Sequence, residues 1–244
     1  MRTARFTDPT GYTRSGILTD DGIETTGRTY DREDVDLLAP TEPTKIVCQA
    51  GGYMDHREES GFEDRPERPE LFLKTPNCVL GPGDPIELPP GRDSVEFEAE
   101  FGIVIGAQCR GVSEEAAMDV VAGYTCVNDV SNRDDQGEER NWVRGKAFDA
   151  SLPMGPVVAT PDEVPEDASL TLSLNGETRQ ETTREHMIFS VPELVADVSE
   201  LLTLEPGDVI ATGTPYGPDE LSDGDTVEVE FEGVGTLENP VISR

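Results

Sequence analysis

Phe97-Glu98-Ala99-Glu100-Phe101-Gly102-Ile103-Val104-Ile105-Gly106 is the stretch on which the fold reading turns. It reads as a β-strand, on which residues i and i+2 project from the same face. Glu98 and Glu100 then point one way, while Phe97, Ala99, Phe101, Ile103 and Ile105 point the other. Glu96 falls on the carboxylate face as well. A third acid, Asp129, follows in Gly123-Tyr124-Thr125-Cys126-Val127-Asn128-Asp129-Val130-Ser131. Two carboxylates on one strand face plus one from another segment suit a hard divalent cation. Mg²⁺ takes few carboxylates and keeps waters or substrate oxygens in its other positions. On spacing alone, a solvated acidic face explains Glu98 and Glu100 about as well.

Outward from this strand, short apolar runs recur. Lys45-Ile46-Val47-Cys48 reads as a buried strand leading to Gly51-Gly52, and Leu71-Phe72-Leu73-Lys74 as another. Arg57 to Glu70 is charged and lacks an apolar period, which predicts a loop or lid. Ser113 is placed to cap a short helix reaching about Val121. Ser190 caps a second, with Pro192 in its first turn and a stripe of Leu194, Val195, Val198, Leu201 and Leu202. The rest of the C-terminal third alternates with period 2. Many short strands, few helices and abundant Gly and Pro predict a β-rich α+β fold. Residues 1–43 read as a small N-terminal subdomain, and residues 44–244 as the domain that carries the chemistry.

The chain has 244 residues and a formal net charge of −32, from 51 acidic and 19 basic side chains. Lys45, Lys74 and Lys146 are its lysines. Acid excess with so little lysine is a halophile-type composition. Near-molar salt shortens the screening length to about 3 Å and relieves the self-repulsion. The charge argues against nucleic acid, which needs clustered Lys and Arg, and against anionic membrane surfaces. Where lysine is so scarce, each one that remains is a candidate for a specific task. The four cysteines show no Cys-x-x-Cys spacing and sit beside apolar residues, which predicts buried, reduced thiols in a cytoplasmic protein. Two histidines without ligand spacing argue against zinc. The N-terminus lacks the apolar core of a signal peptide, and no apolar run approaches the ~20 residues of a membrane helix.

With these segments in view, the chain resembles the fumarylacetoacetate hydrolase superfamily over roughly residues 45–244. The resemblance rests on motifs that occur in family order. They include Gly52-Tyr53-Met54-Asp55-His56-Arg57-Glu58-Glu59, Phe72-Leu73-Lys74-Thr75-Pro76 and Glu98-Ala99-Glu100. Asn128-Asp129-Val130-Ser131-Asn132-Arg133, Gly145-Lys146-Ala147-Phe148-Asp149 and Pro206-Gly207-Asp208 through Gly213-Thr214-Pro215 follow. The resemblance implies a mixed β-roll or sandwich core with few short helices, usually a homodimer, holding Mg²⁺ or Mn²⁺. It maps the metal carboxylates onto Glu98, Glu100 and Asp129, and the active-site lysine onto Lys146. It maps a His–Glu pair on a short lid segment onto His56 and Glu59.

Family members act on small 2-oxo acids or 1,3-dicarbonyl compounds through a metal-stabilised enolate. The expected reaction is C–C bond hydrolysis of an acylpyruvate-like substrate. Isomerisation or decarboxylation of 2-hydroxy-diene or 2-oxo-ene dicarboxylates is the alternative, and dehydration of a 2-keto-3-deoxy sugar acid a third. His56, oriented by Glu59, favours hydrolysis, because it can activate water. Lys146 adds a positive charge beside the developing enolate. Arg133 and Gln136 either reach the substrate or brace Asp129. Thr214 either donates to substrate or shapes a turn, and Lys74 either faces the site or supports the turn after it. Tyr53 and Met54 are candidate pocket residues, whereas His186 reads as structural or surface. Two departures stand out: Gly52 where many members carry Asn, and Tyr216-Gly217-Pro218 in place of part of a glycine-rich run.

Overall fold

The computed structural model describes residues 1–59, 61 and 64–243. The strand quoted above is observed as Ala99–Ile105, buried along its whole length. It sits near the centre of a large sheet whose path runs outward through Val121–Asn128, Leu152–Ala159 and Arg2–Thr7 on one side. On the other side lie Val209–Ala211, Ile46–Ala50 and Glu70–Lys74. Ile46–Ala50 runs parallel to Val209–Ala211, while its other neighbour is antiparallel, so the sheet is mixed. The N-terminal hairpin strands Thr13–Thr19 and Gly22–Thr25 extend this sheet, because Arg2 and Thr3 pair with Ala159 and Val158.

A five-stranded sheet runs through Glu177–Thr183, Ser169–Leu174, Thr226–Phe231, Gly235–Ser243 and Ile86–Leu88. It packs on the large sheet. The alternation of the central strand shows why: Phe97, Ala99, Phe101, Ile103 and Ile105 all join the core between the sheets. Phe101 meets Phe231 of the smaller sheet edge-on, with ring centroids 4.6 Å apart. Val104, on the opposite face, packs with Ile46, Cys48, Val127 and Val209 in a second core. The strand-rich α+β architecture expected from the sequence is thus present.

Helices are few and short among the described residues. Val191–Leu201 is the longest, and Ser190 and Glu193 close its N-terminus with reciprocal hydrogen bonds. Its buried stripe is Val191, Leu194, Val195 and Val198; Leu201, expected on that stripe, is 58% exposed because the helix ends there. Ser113 precedes a single α-turn, Glu114–Ala117, which tightens into the 3₁₀ turn Met118–Val120. The start of the segment read as loop or lid, Arg57–Glu59, instead completes a helical turn, Met54–Glu59. Ser60, Phe62 and Glu63 of that segment lie outside the described residues. Arg65 donates to the Ile188 carbonyl and Arg68 pairs with Asp197, which ties its later part to the body. The four cysteines are buried and unpaired. No helix among the described residues is long and apolar enough to cross a membrane.

Candidate active site

Strand register assembles the acidic cluster. Ala99 pairs with Asn128 and Glu100 with Val127. One step further along, Glu98 stands opposite Asp129, where cross-strand Cβ atoms lie about 5 Å apart. Two hydrogen bonds fix that last rung: Asp129 N–H donates to the Glu98 carbonyl (2.8 Å) and Glu98 N–H to Asn128 Oδ1 (3.0 Å). Glu100 then lies diagonal to Asp129 on the same face. One carboxylate oxygen from each of the three comes within 4.8 Å of the others. All three are buried, at 4%, 1% and 0% exposure. A solvated acidic face is therefore not what these residues form.

Buried carboxylates at this spacing need cations. Lys146, from the turn Val143–Lys146, donates to Glu98 Oε2 (2.6 Å) and Asp129 Oδ2 (2.8 Å). Arg133 spans three partners: Glu98 at 2.5 Å, Glu96 at 2.6 Å and Gln136 Oε1 at 2.7 Å. Burial pushes the Glu98 carboxyl up, but the Lys146 ammonium and the Arg133 guanidinium outweigh it and hold the group well below its usual range. Burial likewise opposes the charge on Lys146, yet Asp129 and Glu98 raise it overall. The two carboxylates thus favour the charged form of Lys146.

Glu100 is treated differently. Among the described residues it has no ion-pair partner; its Oε2 accepts from the Gly213 amide at 2.8 Å. Burial, and then repulsion from Asp129 and Glu98, raise its pKa well above the ordinary value. Gly213 can approach because it is a glycine: its φ is +85°, and a Cβ there would meet Gly52 N at 2.6 Å. Gly52 answers for the same reason, since a Cβ on it would lie 1.9 Å from the Thr212 carbonyl. The donor set fits Mg²⁺ or Mn²⁺: all-oxygen, anionic, converging, with one carboxylate short of a counter-charge.

The cluster forms the floor of a cavity of about 270 Å³, whose walls include His56, Arg133, Gln136 and Thr214. His56 Nδ1 faces Glu59 Oε2 at 3.2 Å across one turn of the Met54–Glu59 helix. A second hollow lies beside it, lined by His56, Glu59, Glu96, Arg133 and Pro218. Thus His56, Glu98, Glu100, Asp129, Arg133, Gln136, Lys146 and Thr214 are brought together around one space, with Glu59 directly behind His56.

Lys74 and Tyr53 are placed elsewhere. Lys74 is fully buried beneath Asp129, ion-paired to its Oδ1, and donates to the Ser151 and Val130 carbonyls. That position braces the carboxylate from behind. Tyr53 is 1% exposed and packs in the inter-sheet core, with burial and nearby Glu100 raising its pKa. Met54 packs against the same core, and His186 is exposed beside Thr182. Sequence reading missed Gln49, Glu70, Phe72 and Trp142 on the cavity wall. Trp142 carried a usable signal as the single tryptophan of the chain. It adopts a left-handed φ of 55° and stacks edge-on against Phe72.

The site is thus a metal-type acidic triad set into a mixed β-sheet core, with a buried lysine cation across it. The model of the fumarylacetoacetate (FAA) hydrolase C-terminal family matches residues 45–242, and the chain belongs to that family. The oxaloacetate tautomerase YisK of Bacillus subtilis is 40% identical over 225 residues, covering 87% of this chain and 75% of that protein. The structure of a 5-carboxymethyl-2-hydroxymuconate delta-isomerase from Mycobacterium smegmatis superposes with a TM-score of 0.92 at 39% identity, over 100% of this chain and 99% of the other. A fumarylpyruvate hydrolase from Pseudomonas aeruginosa, solved with Mn²⁺ and pyruvate, gives a TM-score of 0.78 at 29% identity, covering 86% and 92%. The family therefore spans tautomerases, isomerases and hydrolases.

Proposed function

We propose that this protein is a divalent-metal-dependent enzyme that shifts a proton between carbon and oxygen of a small 2-oxo acid, interconverting keto and enol forms. The observation that carries this reading is the placement of Lys146 across Glu98 and Asp129 at the floor of a cavity that His56 also lines. Glu98, Glu100 and Asp129 would hold Mg²⁺ or Mn²⁺, which when bound supplies Lewis acidity toward the keto and carboxylate oxygens. Lys146 keeps a positive charge next to the oxygen where negative charge develops. Arg133 and Gln136 stand at the wall where a substrate carboxylate can be oriented. His56 donates Nδ1–H to Glu59, so its Nε2 is the ring nitrogen that takes and returns the proton. The tautomerase and isomerase relatives support proton transfer as the outcome.

C–C hydrolysis of an acylpyruvate-like substrate is the second reading. The hollow behind His56 and Glu59 favours it, because a water there would meet an oriented base. Turnover of oxaloacetate enol, an acylpyruvate and fumarylpyruvate, in high salt with and without Mg²⁺ or Mn²⁺, separates the two. Metal-dependent enol–keto conversion without pyruvate release supports the first. Pyruvate release that His56→Ala abolishes moves the assignment to hydrolysis. No metal-dependent turnover of any of these, with metal shown to bind, would remove both.

A further inference from the structure

Gln180 lies on the Glu177–Thr183 strand of the smaller sheet, far in sequence from every residue named above as a site candidate. It is 2% exposed, and one amide ties both edges of the cavity. Its Oε1 accepts from the Ala99 N–H at 2.9 Å, between the two glutamates of the floor. Its Nε2 donates to Thr214 Oγ1 at 2.9 Å and to the Pro215 carbonyl at 3.0 Å. The loop carrying Thr214 is held down there; a Cβ on Gly217 would lie 2.9 Å from the Arg179 carbonyl, one residue before Gln180.

The donor direction matters. A hydroxyl has one proton and two lone pairs. Gln180 Nε2 has no lone pair to offer, so in that bond Thr214 can only accept. Among the described residues, no protein oxygen takes the Thr214 proton in return. Thr214 is itself 2% exposed and lines the cavity. We infer that Gln180 is a positioning residue: it fixes Thr214 as a hydrogen-bond donor into the cavity, aimed at an anionic oxygen of the 2-oxo acid. The polarity of the threonine is then set from behind by a neutral amide. A carboxylate at position 180 would reverse it, since it would accept the threonine proton.

This inference rests on the 2-oxo acid reading of the cavity, and its test keeps the two apart. The probe is oxalate, a small dianion with vicinal carboxylate oxygens, titrated calorimetrically into the Mn²⁺-loaded full-length protein. Mn²⁺ affinity is measured separately by electron paramagnetic resonance of the free ion. Gln180→Glu and Thr214→Val are each expected to weaken oxalate binding roughly 10- to 100-fold, the range for one hydrogen bond to a charged group. Mn²⁺ affinity stays within about threefold, since no metal-type carboxylate loses a partner. The double variant binds no more weakly than Thr214→Val, because both remove one interaction. Thr214→Ser restores near-native binding. Gln180→Met, which deletes the amide without adding charge, guards against a folding failure in Gln180→Glu and is expected to weaken binding less. Oxalate binding by both Gln180 variants at native strength overturns the inference. So does a loss that adds fully to that of Thr214→Val, or one matched by lost Mn²⁺ affinity. If Mn²⁺-loaded wild-type protein ignores oxalate, the cavity reading itself falls, and the inference with it.

Discussion

Asp208, just before the strand Val209–Ala211, and Glu100, on the central strand, are both fully buried acids, at 0% and 1% exposure, yet their surroundings are opposite. Asp208 has every oxygen engaged. Its Oδ1 accepts from Thr44 N–H, Thr44 Oγ1 and Lys45 N–H, at 2.8, 2.8 and 3.1 Å. Its Oδ2 accepts from Glu205 N–H at 2.8 Å and pairs with the Lys45 ammonium. Burial pushes its pKa up, but the Lys45 side chain and the surrounding amides outweigh it and lower the value. Glu100 has one amide donor and two like-charged neighbours, and its pKa is raised. The first acid is a fastening whose partners the chain itself supplies. The second has one amide donor and no cation of the chain's own paired to it among the described residues. Burial of an acid says little about its role; the saturation of its oxygens says a great deal.

The largest expected difference between them is in metal binding. Glu100→Gln should weaken Mn²⁺ by more than roughly 100-fold, beyond what loss of an outer partner typically costs. Asp208→Asn should leave it unchanged; calorimetric titration reads both. Equal losses would erase the distinction. Next comes stabilisation of the wild type by the ion. At a hundredfold excess over Kd, a bound cation contributes about 2.7 kcal/mol. For a chain of this size that raises Tm by roughly 5–10 °C in a thermal melt, and Glu100→Gln should not respond. Third, Asp208→Asn should cost about 1.5–3 kcal/mol in denaturant unfolding, with the slope unchanged, since it unmakes charge-assisted hydrogen bonds in the interior.

The same contrast explains what could be read from the sequence. Glu98, Glu100 and Asp129 were legible because period-2 alternation fixes a strand face and the family motifs supplied the partner segment. The scarcity of lysine was informative too. Lys45, Lys74 and Lys146 each meet a buried aspartate, at Asp208, Asp129 and Asp129 respectively. The family motif pointed to Lys146 as the cavity lysine, but where Lys74 stands was not legible, because that depends on three-dimensional order: Lys146 lies over the carboxylates and Lys74 beneath them. Tyr53 lies three residues before a motif histidine yet turns into the core, and no local pattern records that turn. Gln180 left no trace, since a glutamine in an alternating polar strand looks like any solvated residue until the second sheet packs over it. Leu201 shows the reverse error: a helical stripe extrapolated one residue past the point where packing ends.

The smallest effect, and the sharpest test of the contrast, is in the pH dependence of stability, measured in EDTA. Asp208 titrates below its ordinary value of about 3.9 in the fold, so it contributes stability above that value and loses it as pH falls through the lowered one. The Tm gap between wild type and Asp208→Asn should therefore hold constant from neutral pH down to about 5, then narrow below about 4. Glu100 carries the opposite sign. Its pKa is raised in the fold, so the folded state loses stability as pH rises above the ordinary glutamate value of about 4.3. Glu100→Gln should then match or exceed wild type in Tm at neutral pH, and that advantage should shrink as pH falls toward about 4. Two gaps closing in the same acid range, one from below wild type and one from above, would establish that the two buried acids are held in opposite states of completion. Gaps of the same sign would mean that Glu100 is fastened by the fold as Asp208 is, and that its place in the cluster is structural.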